Sequence, residues 1–375
     1  MSATRETHSS VGHLFATMSE LLFSEFKLGR LTLKNRIVMA PMTRSRSPNN
    51  IPADIVATYY AQRADAGLII TEGTSPSPDG VGYARIPGLY DDAQQAAWKK
   101  VTDAVHAAGG RIFVQLMHTG RVGHPANLPP NARVVAPSAV ALAGEMHTDA
   151  KGPQPHPVPH ALTEAEIEHV LGEYVAASKR AIAAGFDGVE LHGANGYLIQ
   201  QFLNTASNQR TDGWGGTVEG RVRFAAEVAR RVAAAIGGER VGIRLSPAGG
   251  NGGMVVDPEN DAVYLKHPAE LRTAGLVYVH LVDHSAMGAP APKPELVKGM
   301  REAFGGTLIL AGGFDKAKAE AALQEKRGEL IAFGRPFLAN PTLVKKLRTG
   351  APLRPFDFKR AYSPGPEGYV DQPLD

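Results

Sequence analysis

Thr163-Glu-Ala-Glu-Ile-Glu-His-Val-Leu-Gly-Glu-Tyr-Val175 and, a little further on, Phe186-Asp-Gly-Val-Glu-Leu-His-Gly193 make up one helix-then-strand unit, and the chain repeats that unit along its length. The helical half opens on a capping box: the Thr163 hydroxyl and the Glu166 carboxylate serve backbone N–H groups that a first turn leaves free. It stops at Gly185, a residue that tolerates the left-handed backbone of a helix end. Between these signals Ile167, Val170, Leu171, Tyr174 and Val175 recur at intervals of three and four, which marks one face of a helix. The strand half is a short apolar run that closes on polar residues and glycine.

The same kind of run recurs as Ile37-Val-Met-Ala-Pro41, Leu68-Ile-Ile-Thr-Glu-Gly73, Ile112-Phe-Val-Gln-Leu116, Val241-Gly-Ile-Arg-Leu-Ser246, Tyr278-Val-His-Leu-Val-Asp283, Leu308-Ile-Leu-Ala-Gly-Gly313 and Leu330-Ile-Ala-Phe-Gly-Arg335. Helical spacing returns in Trp98, Val101 and Val105 ahead of Gly109-Gly110, and in Val218, Phe224, Val228 and Val232 ahead of Gly237. With the run at 188–193 this makes eight strands, and eight alternations predict an α/β chain closed into a (β/α)8 TIM barrel. A doubly wound nucleotide-binding sheet fits less well, because no strand leads through Gly-x-Gly-x-x-Gly into a helix. The nearest imitation, Ala248-Gly-Gly-Asn-Gly-Gly-Met254, runs into Val-Val-Asp-Pro and reads as a loop at the barrel mouth.

Two segments stand outside the repeat. Phe23 to Asn35 alternates apolar and polar residues about Gly29-Arg30, which predicts a hairpin ahead of the first strand. Val134 to His160, rich in Pro, Ala and Gly, is a capping excursion after the third strand, placed to shape the substrate entrance. Residues 1–17 show no periodicity and read as a disordered extension ahead of a start at Met18, leaving 18–375 as a single barrel domain.

Composition excludes several function classes. The chain has no cysteine, so disulfides, thiol nucleophiles and cysteine-ligated metal centres are ruled out, and redox chemistry would need an organic cofactor or a His/carboxylate metal site. Forty basic and 37 acidic residues are interleaved, without the basic track that nucleic acid requires. No apolar run reaches the ~18 to 20 residues of a membrane span and no secretory signal opens the chain, so the expected location is cytoplasmic.

In a barrel of this kind the strand ends converge, which gathers Thr43, Gly73, Gln115, His192, Arg244, Asp283, Gly312, Gly313, Gly334 and Arg335. The glycines after strands seven and eight, with Arg335, match the phosphate pocket common to this architecture, and a phosphate-bearing planar cofactor fits the set. His192 and Asn195 offer side-chain N–H donors, and the Tyr197 phenol, with a reference pKa of ~10, stays protonated at neutral pH. Singly, each has a plain alternative: a buried histidine is as readily a satisfied core residue, and paired glycines as readily a tight turn. Their conjunction carries the reading of a site that holds a carbonyl oxygen beside an acid.

Ala40-Pro-Met-Thr-Arg-Ser-Arg46, Val114-Gln-Leu-Met-His-Thr-Gly-Arg121, the His192 stretch with its continuation over 204–216, Gly242-Ile-Arg-Leu-Ser-Pro247, Ala311-Gly-Gly-Phe314, Phe333-Gly-Arg-Pro-Phe-Leu-Ala-Asn-Pro341 and Glu367-Gly-Tyr369 resemble, in order, the Old Yellow Enzyme family. The resemblance implies a non-covalent FMN barrel that reduces the C=C bond of α,β-unsaturated carbonyls, maleimides or nitroalkenes. NADPH or NADH would be the donor, in a ping-pong reaction. It implies that Pro41, Met42, Thr43, Gly73 and Gln115 line the flavin ring, that Arg244 faces its N1 and C2 edge, and that Gly312, Gly313, Gly334 and Arg335 hold the phosphate. His192 and Asn195 would bind the substrate oxygen, Tyr197 would donate the proton, and Tyr83, Met117 and Tyr369 would wall the pocket. Thr43 resembles the threonine-bearing branch, and Met117, where many members have tryptophan, implies a wider pocket. The expected partners are small activated alkenes, and both a monomer and a homodimer fit.

Two other classes make different demands. A metal-dependent barrel hydrolase built on His118, His192 and Asp283 would call for a His-x-His pair and strand-end carboxylates that the sequence lacks. A non-catalytic flavin carrier would keep the glycines and be indifferent to Tyr197.

Overall fold

The structure, a computed structural model, describes residues 20–375, so the reading of 1–17 as an extension and of Met18 as a start lies outside the described residues. Eight strands run parallel around a closed barrel: β1 (Ile37–Met39), β2 (Leu68–Thr74), β3 (Ile112–Leu116), β4 (Gly188–Gly193), β5 (Val241–Leu245), β6 (Tyr278–Val282), β7 (Thr307–Ala311) and β8 (Leu330–Phe333). Each strand pairs with its sequence neighbours, and β8 closes on β1. The helices that return the chain are α1 (Asp54–Ala61), α2 (Asp92–Ala107), α3 (Glu164–Ala183), α4 (Leu198–Leu203), α5 (Val218–Ile236), α6 (Asn260–Thr273), α7 (Pro294–Phe304) and α8 (Lys316–Gln324), followed by α9 (Arg335–Ala339) and α10 (Leu343–Thr349). The capping box at Thr163 is present as read, with Thr163 Oγ accepting from Glu166 N–H and the Glu166 carboxylate accepting from Thr163 N–H.

Period-two alternation along buried strands divides the core in two. Residues facing outward, such as Val189 and Leu191 of β4 and Val241 and Ile243 of β5, pack under the helices with Trp98, Tyr174 and Phe224. Residues facing inward, Val38, Ile70, Phe113, Ile309 and Leu330 among them, fill the barrel from the other side of the wall. The hairpin pairs Phe26–Leu28 with Leu31–Leu33, turns through Gly29 at φ 54°, and drives Leu28 and Leu33 into that inner cluster. It closes the end at which the strands begin, and the open end is the one at which they finish.

The excursion after β3 forms two small pairings, Val135–Ala136 with His160–Ala161 and Glu145–Thr148 with Gly152–Pro155. Arg210 Nη1 donates to Pro137 O at 3.0 Å and Arg121 Nη1 to Val140 O at 3.2 Å, which ties this cap to the barrel mouth. The C-terminal segment is tied down differently. Arg44 and Arg46, both buried behind β1, donate to the main-chain carbonyls of Arg360, Ala361, Gly365, Glu367 and Gly368. Two guanidinium groups thus strap the end of the chain beside the entrance.

Candidate active site

The polar inner residues of four adjacent strands, β3 to β6, meet at two successive levels of the barrel. Register places Glu190 of β4 opposite Gln115 of β3, His192 opposite Arg244 of β5, and Arg244 opposite His280 of β6. Glu190, wholly buried, accepts from Gln115 Nε2 at 2.8 Å and Tyr278 Oη at 3.1 Å, and its Oε2 lies 2.8 Å from His280 Nδ1. Gly242 makes room for this: a side chain there would collide with the Tyr278 ring that crosses it. The sequence reading overlooked Glu190, Tyr278 and His280. The available signal was a carboxylate two residues before His192, on the same face of an otherwise apolar strand.

Above this layer stands Arg244, nearly buried, with no carboxylate in ion-pair contact among the described residues and its Nε without a hydrogen-bond partner. Burial lowers its pKa and the nearby Glu190 charge counters that. A desolvated guanidinium without a direct counter-ion is costly unless a ligand brings negative charge to it. The arrangement suits a planar anionic edge.

His192 is buried beside Arg244, and burial first, then the charges of Arg244, His280 and His284, hold its pKa well below the ordinary value. Its imidazole is therefore neutral. Nδ1 accepts from Ala194 N–H at 3.3 Å, which puts the ring proton on Nε2 as a donor. The turn beyond β4 then holds Asn195 in left-handed backbone at φ 60°, its N–H donating to Ser246 Oγ at 3.1 Å. Gly196, at φ 80°, is required for a second reason: a Cβ there would lie 2.6 Å from Gly252 Cα. The glycine-rich loop is thus packed on this turn, and Arg121 Nη2 donates to Gly252 O at 3.2 Å.

Tyr197 sits at the N-cap of α4, edge-on to His192 with ring centroids 4.9 Å apart, its hydroxyl 3.0 Å from that of Tyr83. Burial raises both phenol pKa values, so both are protonated in neutral solution. The structure therefore brings His192, Asn195, Tyr197, Tyr83, Gln115 and Arg244 to one place. Gly73 lies in the irregular stretch of β2, pairs with Gln115, and abuts Met117 so closely that a Cβ would run into the methionine sulfur. Pro41, Met42 and Thr43 follow β1, and Met42 lies beside Gly334. Gly312 and Gly313, at φ 142° and 62°, end β7 next to Gly334 and exposed Arg335 at the end of β8.

One expectation needs correction. Tyr369 does not wall the pocket: it is fully buried, stacked on the Tyr59 ring at 4.0 Å, with the Arg44 and Arg46 guanidinium groups 5.0 and 4.7 Å from its centre. The chain turns through Gly365 and Gly368, both at positive φ, and sends that ring inward. Tyr362, seven residues earlier and largely exposed, is instead the tyrosine of this segment that lies near both Tyr83 and Tyr197. Met117 is buried against Gly73, Val81 and Ile86, in a cluster that Tyr83 and Tyr197 border. The hydrolase set also separates: His118 is sealed in the interior, and among the described residues no group of three His, Asp or Glu could hold a metal ion.

A family model described as the NADH:flavin oxidoreductase / NADH oxidase family matches residues 21–354. The chain belongs to that family. A chanoclavine-I aldehyde reductase of Penicillium roqueforti is 44% identical, the match covering 93% of this chain and 95% of that protein. A probable flavin mononucleotide-dependent alkene reductase of Leishmania infantum is 42% identical, over 95% of this chain and 98% of its own length. Among solved structures, an Old Yellow Enzyme homologue from Zymomonas mobilis superposes with a TM-score of 0.90 at 40% identity, covering 94% of this chain and 99% of that one. This Old Yellow Enzyme relative is thus an NAD(P)H-dependent flavin oxidoreductase with FMN as its cofactor. The residues fit that cofactor: an unpaired buried guanidinium for the ring, and glycines with an exposed arginine at the ends of β7 and β8 for the phosphate.

Proposed function

We propose that this ene-reductase acts on α,β-unsaturated carbonyls, maleimides or nitroalkenes, with His192 and Asn195 holding the substrate oxygen and Tyr197 donating the proton. The observation that carries the reading is the neutral His192 with its proton on Nε2, set beside the Asn195 amide and the protonated Tyr197–Tyr83 pair. FMN, when bound, supplies the hydride carrier between nicotinamide and alkene. Pro41, Met42, Thr43, Gly73 and Gln115 would hold its ring, Arg244 would offer its charge to the ring's anionic edge, and Gly312, Gly313, Gly334 and Arg335 would hold its phosphate.

Reduction adds hydride to the β carbon of the alkene and a proton to the α carbon. As the β carbon is reduced, negative charge moves to the carbonyl or nitro oxygen, where two fixed donors in a dry site stabilise it; losing one such donor costs roughly 10²- to 10³-fold. Tyr197 then transfers its hydroxyl proton to the α carbon, and Tyr83, 3.0 Å behind it, donates to the phenolate that remains. The hydride donor is NADPH or NADH.

The test is spectroscopic. The purified protein should be yellow, should bleach when NADPH or NADH is added without oxygen, and should regain its colour on addition of 2-cyclohexenone. A flavin that bleaches but is not reoxidised by the enone would refute alkene reduction.

A further inference from the structure

A second histidine reaches the site. His284 follows β6, directly after Asp283, and its Nε2 lies 2.7 Å from Asn195 Oδ1. It is buried, and its Nδ1 is sealed from solvent without a hydrogen-bond partner. A sealed N–H with no acceptor is costlier than a sealed lone pair, so the ring proton belongs on Nε2, where it donates to the amide oxygen. Asn195 is otherwise fixed only through its backbone, by left-handed φ and the bond to Ser246. Its χ2 has two nearly equivalent settings that exchange oxygen for nitrogen, and only one offers N–H to a substrate oxygen.

We propose that His284 is a positioning residue: by donating to Asn195 Oδ1 it locks the amide with Nδ2 toward the substrate oxygen, selecting substrates that place an electron-rich oxygen there. The wrong setting would aim one lone-pair-bearing oxygen at another, so without His284 the site spends much of its time in a form that repels its ligand. Among the described residues Asn195 Nδ2 has no protein partner, which leaves it available to the ligand. The inference rests on the assignment of Asn195 to substrate oxygen, and its test is built to fail separately from that assignment.

The experiment is a double-mutant cycle on the FMN-loaded enzyme, read by the perturbation of flavin absorbance on titration with p-chlorophenol, a non-reacting oxygen ligand. Asn195→Ala alone tests the underlying assignment, and unchanged affinity there removes that assignment and the proposal together. If it holds, His284→Phe, which keeps ring bulk and loses the donor, should weaken phenol binding about tenfold. His284→Gln, which keeps an N–H donor, should recover most of that loss. The same His284→Phe change in the Asn195→Ala background should have no further effect, because the histidine acts only through the amide. Equal losses in both backgrounds, or no loss in His284→Phe when Asn195→Ala has one, would overturn the proposal. Should His284→Phe fail to retain flavin, His284→Leu and His284→Gln carry the same cycle, with the same two outcomes against it.

Discussion

Removing one oxygen atom from Tyr197 takes away both the proton meant for the α carbon and the hydrogen-bond partner of Tyr83. Tyr197→Phe should therefore slow reoxidation of the reduced enzyme by an enone roughly 10²- to 10⁴-fold, while reduction by nicotinamide, which needs no proton from this phenol, changes little. Stopped-flow absorbance of the two half-reactions measures this directly, and equal losses in both would count against the proton-donor role. At this scale the sequence was legible in placement: His192, Asn195, Tyr197, Gln115 and Arg244 were expected at or just beyond strand ends, and the structure gathers them at one end of the barrel. Supporting groups were not. Glu190 meets Gln115 and His280 only because four parallel strands, β3 to β6, stand side by side in the barrel wall, and His284 meets Asn195 across 89 residues of chain. Tyr369 misled for the converse reason, since its motif fixed a position in the chain and not the direction its ring would take after two glycine turns.

Elements were the most readable level, because each strand is a buried apolar run bounded by polar residues, and helices such as α3 carry their own start signals. Thr163 tests how far such local signals matter. Thr163→Ala removes the acceptor for Glu166 N–H at the start of α3, at the exposed helix end on the outer ring where the chain leaves the cap. A cost of about 1 kcal/mol is expected, seen as a fall of a few degrees at most in Tm, with kcat for enone reduction unchanged. A changed kcat would mean that α3 is coupled to the site. The short pairings within 134–160 were not legible, because proline and glycine hide their alternation and their order comes from contacts with Arg121 and Arg210. The glycine-rich loop was read as belonging to the mouth, but its seat on Gly196 depends on backbone approach that no side-chain pattern announces.

Across the whole molecule, one buried carboxyl couples stability to pH. Glu72 of β2 is fully buried, and burial pushes its pKa from 4.5 up to about 7, against the opposing pull of the Arg44 and Ser45 N–H groups and the Arg44 charge. The folded state thus holds this proton more tightly than the unfolded chain does. Its contribution is fully present below pH ~4.5 and is lost as pH rises through about 7, a change of roughly 3 kcal/mol at about 1.4 kcal/mol per unit. Glu72→Gln keeps an oxygen for both N–H groups and cannot ionise. The stability of the wild type relative to this variant should fall between pH 5 and 8, as followed by urea unfolding, and a pH-independent difference would refute the assignment. Glu72 lies beneath the same two arginines that bind the C-terminal strap, and their grip there is on peptide oxygens rather than on side chains. A grip on peptide oxygens does not depend on which side chains the strap carries, so replacing exposed Tyr362 would alter what the strap presents to Tyr83 and Tyr197 while leaving its anchors on Arg44 and Arg46 intact.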